Sequence, residues 1–322
     1  MNAVLAATPT TTPKARVLFV DDEPRVLTTM RMLFRAHYEV HFAEGGQQAL
    51  ELLKRQMVDV IVSDQRMPGM TGIELLRAAR ELNPHAMRIL LTGYSDLNAI
   101  IGSINEGEIF RFVNKPWSNE DLSTTVARAV SAARASAAAV ATRPIDGPAP
   151  QTPSGPLPAV LVMDDDARVP PQIQAILGTE CRVFGAGSLD EAVDLLERER
   201  IGVVISDTRV QDQPVVNLIG TLKQHQPELV SVILTERADA GAAIDLINQG
   251  QIYRFITKPI IDNACKITVH SALRQHEKLL HAPELHQRYE VARVVEPPPP
   301  TSSTGRLLDR IRSLRSWVTR RA

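Results

Sequence analysis

The segment Ile104-Asn105-Glu106-Gly107-Glu108-Ile109-Phe110-Arg111-Phe112 recurs as Ile247-Asn248-Gln249-Gly250-Gln251-Ile252-Tyr253-Arg254-Phe255, and a Lys-Pro pair follows each at the same distance. The offset is constant and ungapped: Asp21 maps to Asp164, Asp22 to Asp165, Asp64 to Asp207, Thr92 to Thr235 and Lys115 to Lys258. A period this long exceeds any solenoid unit and matches a whole domain. The 322 residues are therefore read as two copies of one domain. Copy one spans 16–134 and copy two 159–276, with a tail at 1–15, a linker at 135–158 and an extension at 277–322.

Within copy one, short apolar runs predict five strands: Arg16 to Val20, Tyr38 to Phe42, Val58 to Ser63, Met87 to Leu91 and Ile109 to Val113. Three are nearly continuous in apolar residues, as strands buried on both faces are. Between them, stripes at helical spacing, such as Val26, Leu27, Met30 and Phe34, or Leu97, Ile100, Ile101 and Ile104, predict amphipathic helices. Alternating β and α units with short connections imply a doubly wound parallel sheet in each copy. In copy two, Pro170 and Pro171 are tolerable only in a first helical turn. Pro144, Pro148, Pro150, Pro153, Pro156 and Pro158 make the linker a semi-extended spacer, so the copies are expected to be flexibly tethered without a shared core. The terminal stretch Arg306 to Arg321 reads as a basic amphipathic helix, taken as solvated or partner-docking in preference to a membrane or nucleic-acid contact.

Composition narrows the class. Lys plus Arg (36) nearly balance Asp plus Glu (37), so net charge gives no support to a nucleic-acid or membrane binder. Cys181 and Cys265 are the only cysteines and read as buried thiols. Residues 1–12 lack a signal-peptide pattern and no run is long enough to span a bilayer, so a cytoplasmic location is expected.

The repeated polar residues fall at predicted strand ends, where open parallel sheets place their sites. Asp21 and Asp22 end the first strand, Asp64 the third, Thr92 the fourth and Lys115 the fifth. Three carboxylates in one crevice repel unless a cation neutralises them, and Mg2+, a hard ion with oxygen ligands, fits that need. Asp64 reads as a nucleophile that accepts phosphate as an acyl phosphate, with Lys115 and Thr92 facing the incoming group.

The motifs Val20-Asp21-Asp22-Glu23-Pro24, Ser63 to Gly72, Leu91-Thr92-Gly93-Tyr94 and Asn114-Lys115-Pro116-Trp117 resemble the receiver domains of two-component response regulators, of the chemotaxis type. The resemblance implies two flavodoxin-like (βα)5 domains in tandem. It also implies Asp64 as phosphoacceptor, Asp21, Asp22, Asp64 and the Arg66 backbone carbonyl as Mg2+ ligands, and Thr92 with Phe112 as a switch. A cis Lys115-Pro116 bond, a sensor histidine kinase or histidine phosphotransfer protein as donor, and no enzymatic turnover beyond self-catalysed phosphotransfer are implied as well. The Leu91 to Tyr94 and Asn105 to Phe112 segments look similar to receivers that elsewhere precede cyclic-di-GMP phosphodiesterase or hydrogenase-regulator outputs. No DNA-binding segment follows either copy, so output is expected through a downstream protein. An aspartate-nucleophile phosphatase would carry an acid two residues after Asp64, where Arg66 stands.

Copy two keeps Asp164, Asp165, Asp207, Thr235, Lys258 and Phe255, so the same metal, acceptor and switch roles transfer by resemblance. Its surroundings differ. Glu236 replaces Gly93, and the loop Met67-Pro68-Gly69-Met70-Thr71-Gly72 becomes Val210-Gln211-Asp212-Gln213-Pro214-Val215. The charge of Glu236 is expected to oppose an incoming dianion and impair phosphorylation at Asp207. The rival reading is a docking scaffold in which phosphate is incidental. His270, His276, His281 and His286 share no helical face and are expected to be solvated.

Overall fold

The computed structural model describes residues 13–93, 109–141, 157–235, 247–248, 252–281 and 286. The fourth helical stripe of copy one, Glu236, most of the linker prolines and the C-terminal basic helix lie outside them. Copy one contains β1 (Arg16–Val20), α1 (Pro24–Phe34), β2 (Glu39–Ala43), α2 (Gly46–Arg55), β3 (Val60–Asp64), α3 (Gly72–Leu82), β4 (Met87–Thr92), β5 (Arg111–Asn114) and α4 (Asn119–Ala141). Its sheet runs β2-β1-β3-β4-β5, and every described pairing is parallel. β3 and β4 are buried at every residue, which is why their sequences are continuous in apolar residues.

Copy two repeats the plan with β6 (Ala159–Met163), α5 (Val169–Leu177), β7 (Arg182–Ala186), α6 (Leu189–Arg198), β8 (Ile201–Asp207), α7 (Val216–His225), β11 (Val230–Thr235), β12 (Arg254–Thr257) and α8 (Asp262–His281). Its five parallel strands run β12-β11-β8-β6-β7. Pro170 and Pro171 fall in the first turn of α5, as predicted. A two-stranded addition, β9 (Arg209–Val210) with β10 (Gln213–Pro214), has no counterpart among the described residues of copy one. Lys115-Pro116 and Lys258-Pro259 are both cis. Among the described residues no helix is long and apolar enough to cross a membrane.

The first strand falls at its predicted bounds, and the other four end one residue later than predicted. Val58 N–H is taken by Asn83 Oδ1 at 2.9 Å, outside the ladder, whereas Asp64 and Thr92 are the last residues of β3 and β4. Asp64 and Thr92 thus ride on strands, while Asp21, Asp22 and Lys115 sit directly after strand ends. The cysteines are buried and unpaired. Three histidines depart from the solvated reading, His270 lying 2.8 Å from Glu180, His276 Nδ1 2.9 Å from the Glu228 carbonyl and His286 Nε2 3.0 Å from the Leu279 carbonyl, whereas His281 is exposed as expected.

Nor are the copies merely tethered. β5 is an edge strand, and its Phe112 N–H donates to Asn248 Oδ1 of copy two at 2.8 Å. The side chain caps an amide that a sheet edge otherwise leaves open. Buried residues of both copies, including Phe112, Ile247 and Phe255, join one apolar cluster. Lys223 of α7 is buried, and burial, then the nearby Arg111 guanidinium of copy one, push it down to about 7 from an ordinary 10.5. The unfolded chain therefore holds a proton that the folded chain has released between those values. Stability is expected to climb as pH rises from 7 towards 10, and Lys223→Met should flatten that climb and raise Tm at pH 7. Thermal melts of both proteins across this range decide it; parallel profiles would refute it.

Candidate functional site

Each carboxylate of copy one is placed by local structure. Asp21 follows β1 and is buried; its Oδ1 accepts the Glu23 N–H at 2.9 Å, a local turn that hands the chain to Pro24 at the start of α1. Asp22 is next and half-buried, and Asp64 closes β3 with 5% exposure. These three each bring an oxygen within 4.8 Å of the others, the one such acidic, His or Cys trio among the described residues. Lys115, just past β5, sets its Nζ 2.7 Å from Asp64 Oδ1 and 3.6 Å from Asp21 Oδ2. Asp21 Oδ2 is buried and accepts no hydrogen bond. Burial raises the Asp21 pKa above the ordinary carboxylate value, against the opposing Glu23 N–H and Lys115 charge.

The approach of α3 to this site depends on one glycine. A Cβ on Gly72 would lie 2.1 Å from the Asp64 carbonyl oxygen and 2.7 Å from Leu90 Cδ1. Without a side chain the helix start closes onto the strand end, with Gly72 N–H donating to the Gln65 carbonyl at 3.0 Å. Thr71 and Glu74 then cap α3 reciprocally. Thr92 ends β4 and is buried, its hydroxyl donating to the Gly93 carbonyl at 3.3 Å, and Phe112 is buried on β5. Trp117 stacks its ring 5.4 Å from Lys115 Nζ, which makes it an optical reporter of this crevice. Arg66 follows Asp64 on the loop leaving β3.

Copy two keeps the residues and changes the contacts. Lys258 Nζ lies 2.9 Å from Asp164 Oδ2 and 2.5 Å from Asp207 Oδ2. Burial lowers the Lys258 pKa, but hydrogen bonds and charge from these two acids outweigh it and raise the value overall. Asp165, however, is exposed and its Oδ1 accepts the Gln211 N–H at 2.7 Å, a partner that sequence reasoning missed. Thr235 ends β11 and Phe255 is buried on β12, matching Thr92 and Phe112. The signal for Gln211 was present in the exchange of Gly72 for Val215, which alters the loop between β8 and α7.

A five-stranded parallel sheet with acids and a lysine at its strand ends, present twice, is the arrangement of tandem signalling receivers. The response regulator receiver domain model matches residues 17–127 and 160–270, and the chain belongs to that family. It is 42% identical over 119 residues to the hydrogenase transcriptional regulatory protein HoxA of Cupriavidus necator, covering 37% of this chain and 25% of that protein. It is 38% identical over 115 residues to the sensor kinase CckA of Brucella abortus, covering 35% of this chain and 12% of that one. The chain thus spans a quarter or less of the length of these relatives. The signal receiver domain of an HD domain-containing protein from Pseudomonas fluorescens Pf-5 is 35% identical and aligns over 42% of this chain and 98% of its own, with a TM-score of 0.39. Tandem response-regulator receiver domains of the two-component class are what this protein contains.

Proposed function

We propose that copy one accepts a phosphoryl group on Asp64 from a histidine kinase or histidine phosphotransfer protein, and that the chain signals onward through protein contacts in the cytoplasm. The carrying observation is the pairing of Asp64 Oδ1 with Lys115 at 2.7 Å beside the buried, unbonded Asp21 Oδ2. A carboxylate oxygen of Asp64 attacks phosphorus, an O–P bond forms as the donor's N–P bond breaks, and the electron pair leaves with the donor imidazole. Lys115 holds the nucleophile and offers positive charge to the phosphoryl oxygens; the Thr92 hydroxyl, at the next strand end, offers a donor on another side.

The donor set fits a hard divalent cation. Asp21, Asp22 and Asp64 would hold Mg2+, joined by the Arg66 carbonyl, and the ion would neutralise the charge that gathers on the transferring group. The buried, unbonded Asp21 Oδ2 supports this reading, because such an atom is costly without a partner. Asp22→Ala is expected to abolish Mg2+-dependent quenching of Trp117 fluorescence without unfolding the domain; an unchanged titration would show that these acids only cap the loop. Borohydride trapping of an aspartyl phosphate, read by mass spectrometry, tests the acceptor. Modification at position 64 after kinase treatment supports the proposal, and an unmodified Asp64 in a loaded protein overturns it.

Copy two we read as poorly phosphorylated and serving mainly as a docking module. Asp207 favours this: its Oδ1 accepts the Thr208 N–H at 2.6 Å and its Oδ2 pairs with Lys258, so both oxygens are engaged. The 16–134 and 159–276 boundaries remain the working limits of the two modules.

A further inference from the structure

We propose that copy two has no divalent-cation site, and that Lys258 and the Gln211 amide stand in for the ion by holding its three carboxylates apart. The inference rests on the reading of copy one as a Mg2+-dependent phosphoacceptor. It starts from one substitution. Val215 occupies the position of Gly72, where a Cβ would meet the Asp64 carbonyl oxygen at 2.1 Å. Copy two keeps the closing bond, with Val215 N–H donating to the Thr208 carbonyl at 3.2 Å, but its helix begins one residue later, at Val216, and the loop before it is rebuilt.

The chain takes another path. Val210 pairs with Gln213, and the two residues between them, Gln211 and Asp212, have φ of 48° and 58°. Two consecutive left-handed residues make a tight hairpin turn of the type that matches strand twist. Gln and Asp adopt that region at some cost, since only glycine enters it freely. The turn aims the Gln211 N–H at Asp165 and holds its carboxylate at 2.7 Å.

The other acids are also held by the protein. Asp164 Oδ1 accepts the Asp166 N–H at 2.9 Å; its Oδ2, buried without a hydrogen bond like Asp21 Oδ2, differs in lying 2.9 Å from the lysine ammonium in place of 3.6 Å. Asp207 Oδ1 accepts the Thr208 N–H and its Oδ2 accepts from Lys258 Nζ. Copy one has the same formal charge, three carboxylates and one ammonium, so the difference is geometric. There Lys115 stays 3.6 Å from Asp21 Oδ2, and the three acids converge within 4.8 Å. In copy two a cation would have to displace Lys258 from two carboxylates and draw Asp165 away from Gln211. Copy two accordingly holds one conformation whatever the Mg2+ level, and any cation response of the chain belongs to copy one.

Titration of the full chain with Mn2+, a hard ion with oxygen preference like Mg2+, with free ion read by electron paramagnetic resonance, tests this. One ion per chain is expected, falling to none in Asp22→Ala and staying at one in Asp165→Ala, whose side chain is exposed and whose loss spares the fold. Two ions per chain, or a single ion lost in Asp165→Ala, would overturn the inference while leaving copy one's role intact. No bound ion in the unsubstituted chain would instead overturn the metal reading of copy one, and with it the contrast that this inference needs. Hydrogen exchange gives a check without variants: Mg2+ should protect residues 16–25 and 60–72 and leave 159–168 and 203–215 unchanged. Protection in the second pair of segments would also overturn the inference.

Discussion

Asp64→Ala is expected to reduce phosphoryl incorporation from one group per chain to none, whereas Asp207→Ala should leave it at one. The measurement is intact-protein mass spectrometry after incubation with Mg2+ and acetyl phosphate, which supplies a reactive phosphoryl group without a kinase. The effect is large because the acceptor is a bond-forming atom and no neighbour replaces it. Asp21 is buried with its pKa raised and lies 3.6 Å from Lys115, and Asp22 has no lysine contact among the described residues, so neither has the 2.7 Å pairing of carboxylate and ammonium found at Asp64. Removing an aligned nucleophile costs many powers of ten in rate, well beyond what acetyl phosphate at high concentration recovers. Two groups on the unsubstituted chain would show that copy two is active; one group surviving in Asp64→Ala would move the acceptor elsewhere.

Much of this site is legible in the sequence because its residues are tied to strand ends. Apolar runs mark the strands, the repeat fixes which polar residues recur after them, and a parallel sheet brings those ends together. Asp21, Asp22, Asp64 and Lys115 are assembled for that reason. The contacts between copies were not legible. Nothing in the pattern of Asn248 distinguishes a solvated side chain from one that caps Phe112 across domains, because the bond joins residues far apart in sequence. The proline-rich linker pointed the other way, since linker composition reports chain stiffness and not the affinity of the surfaces it joins. Lys223 was hidden for a related reason. At its position copy one carries Arg80, a half-exposed cation on the outer side of a helix, so the substitution looked conservative and solvated. The fate of Asp165 was hidden at one remove. A carboxylate that recurs at a strand end reads as a ligand, and its diversion depends on a turn formed by residues 46 positions further on.

That turn separates two explanations for a silent second copy, and the outcome of replacing it should be correspondingly large. Sequence alone points to the charge of Glu236, which predicts that Glu236→Gly restores phosphorylation at Asp207. The contacts of Asp165, Asp207 and Lys258 point to the loop, because Gln211, which holds Asp165, belongs to it. Glu236→Gly alone is therefore expected to leave incorporation at one group per chain. Exchanging residues 210–215 for the copy-one loop (Val210→Met, Gln211→Pro, Asp212→Gly, Gln213→Met, Pro214→Thr, Val215→Gly), together with Glu236→Gly, is expected to raise it to two. Pro at position 211 has no N–H to give Asp165, and glycine at 215 removes the Cβ for which Gly72 leaves no room at Asp64. The same change should raise Mn2+ stoichiometry to two, because freed carboxylates can converge on an ion and loosen Lys258 from Asp207. A second phosphoryl group in Glu236→Gly alone would assign the block to the charge at 236, since that substitution leaves the Gln211 N–H that holds Asp165 in place.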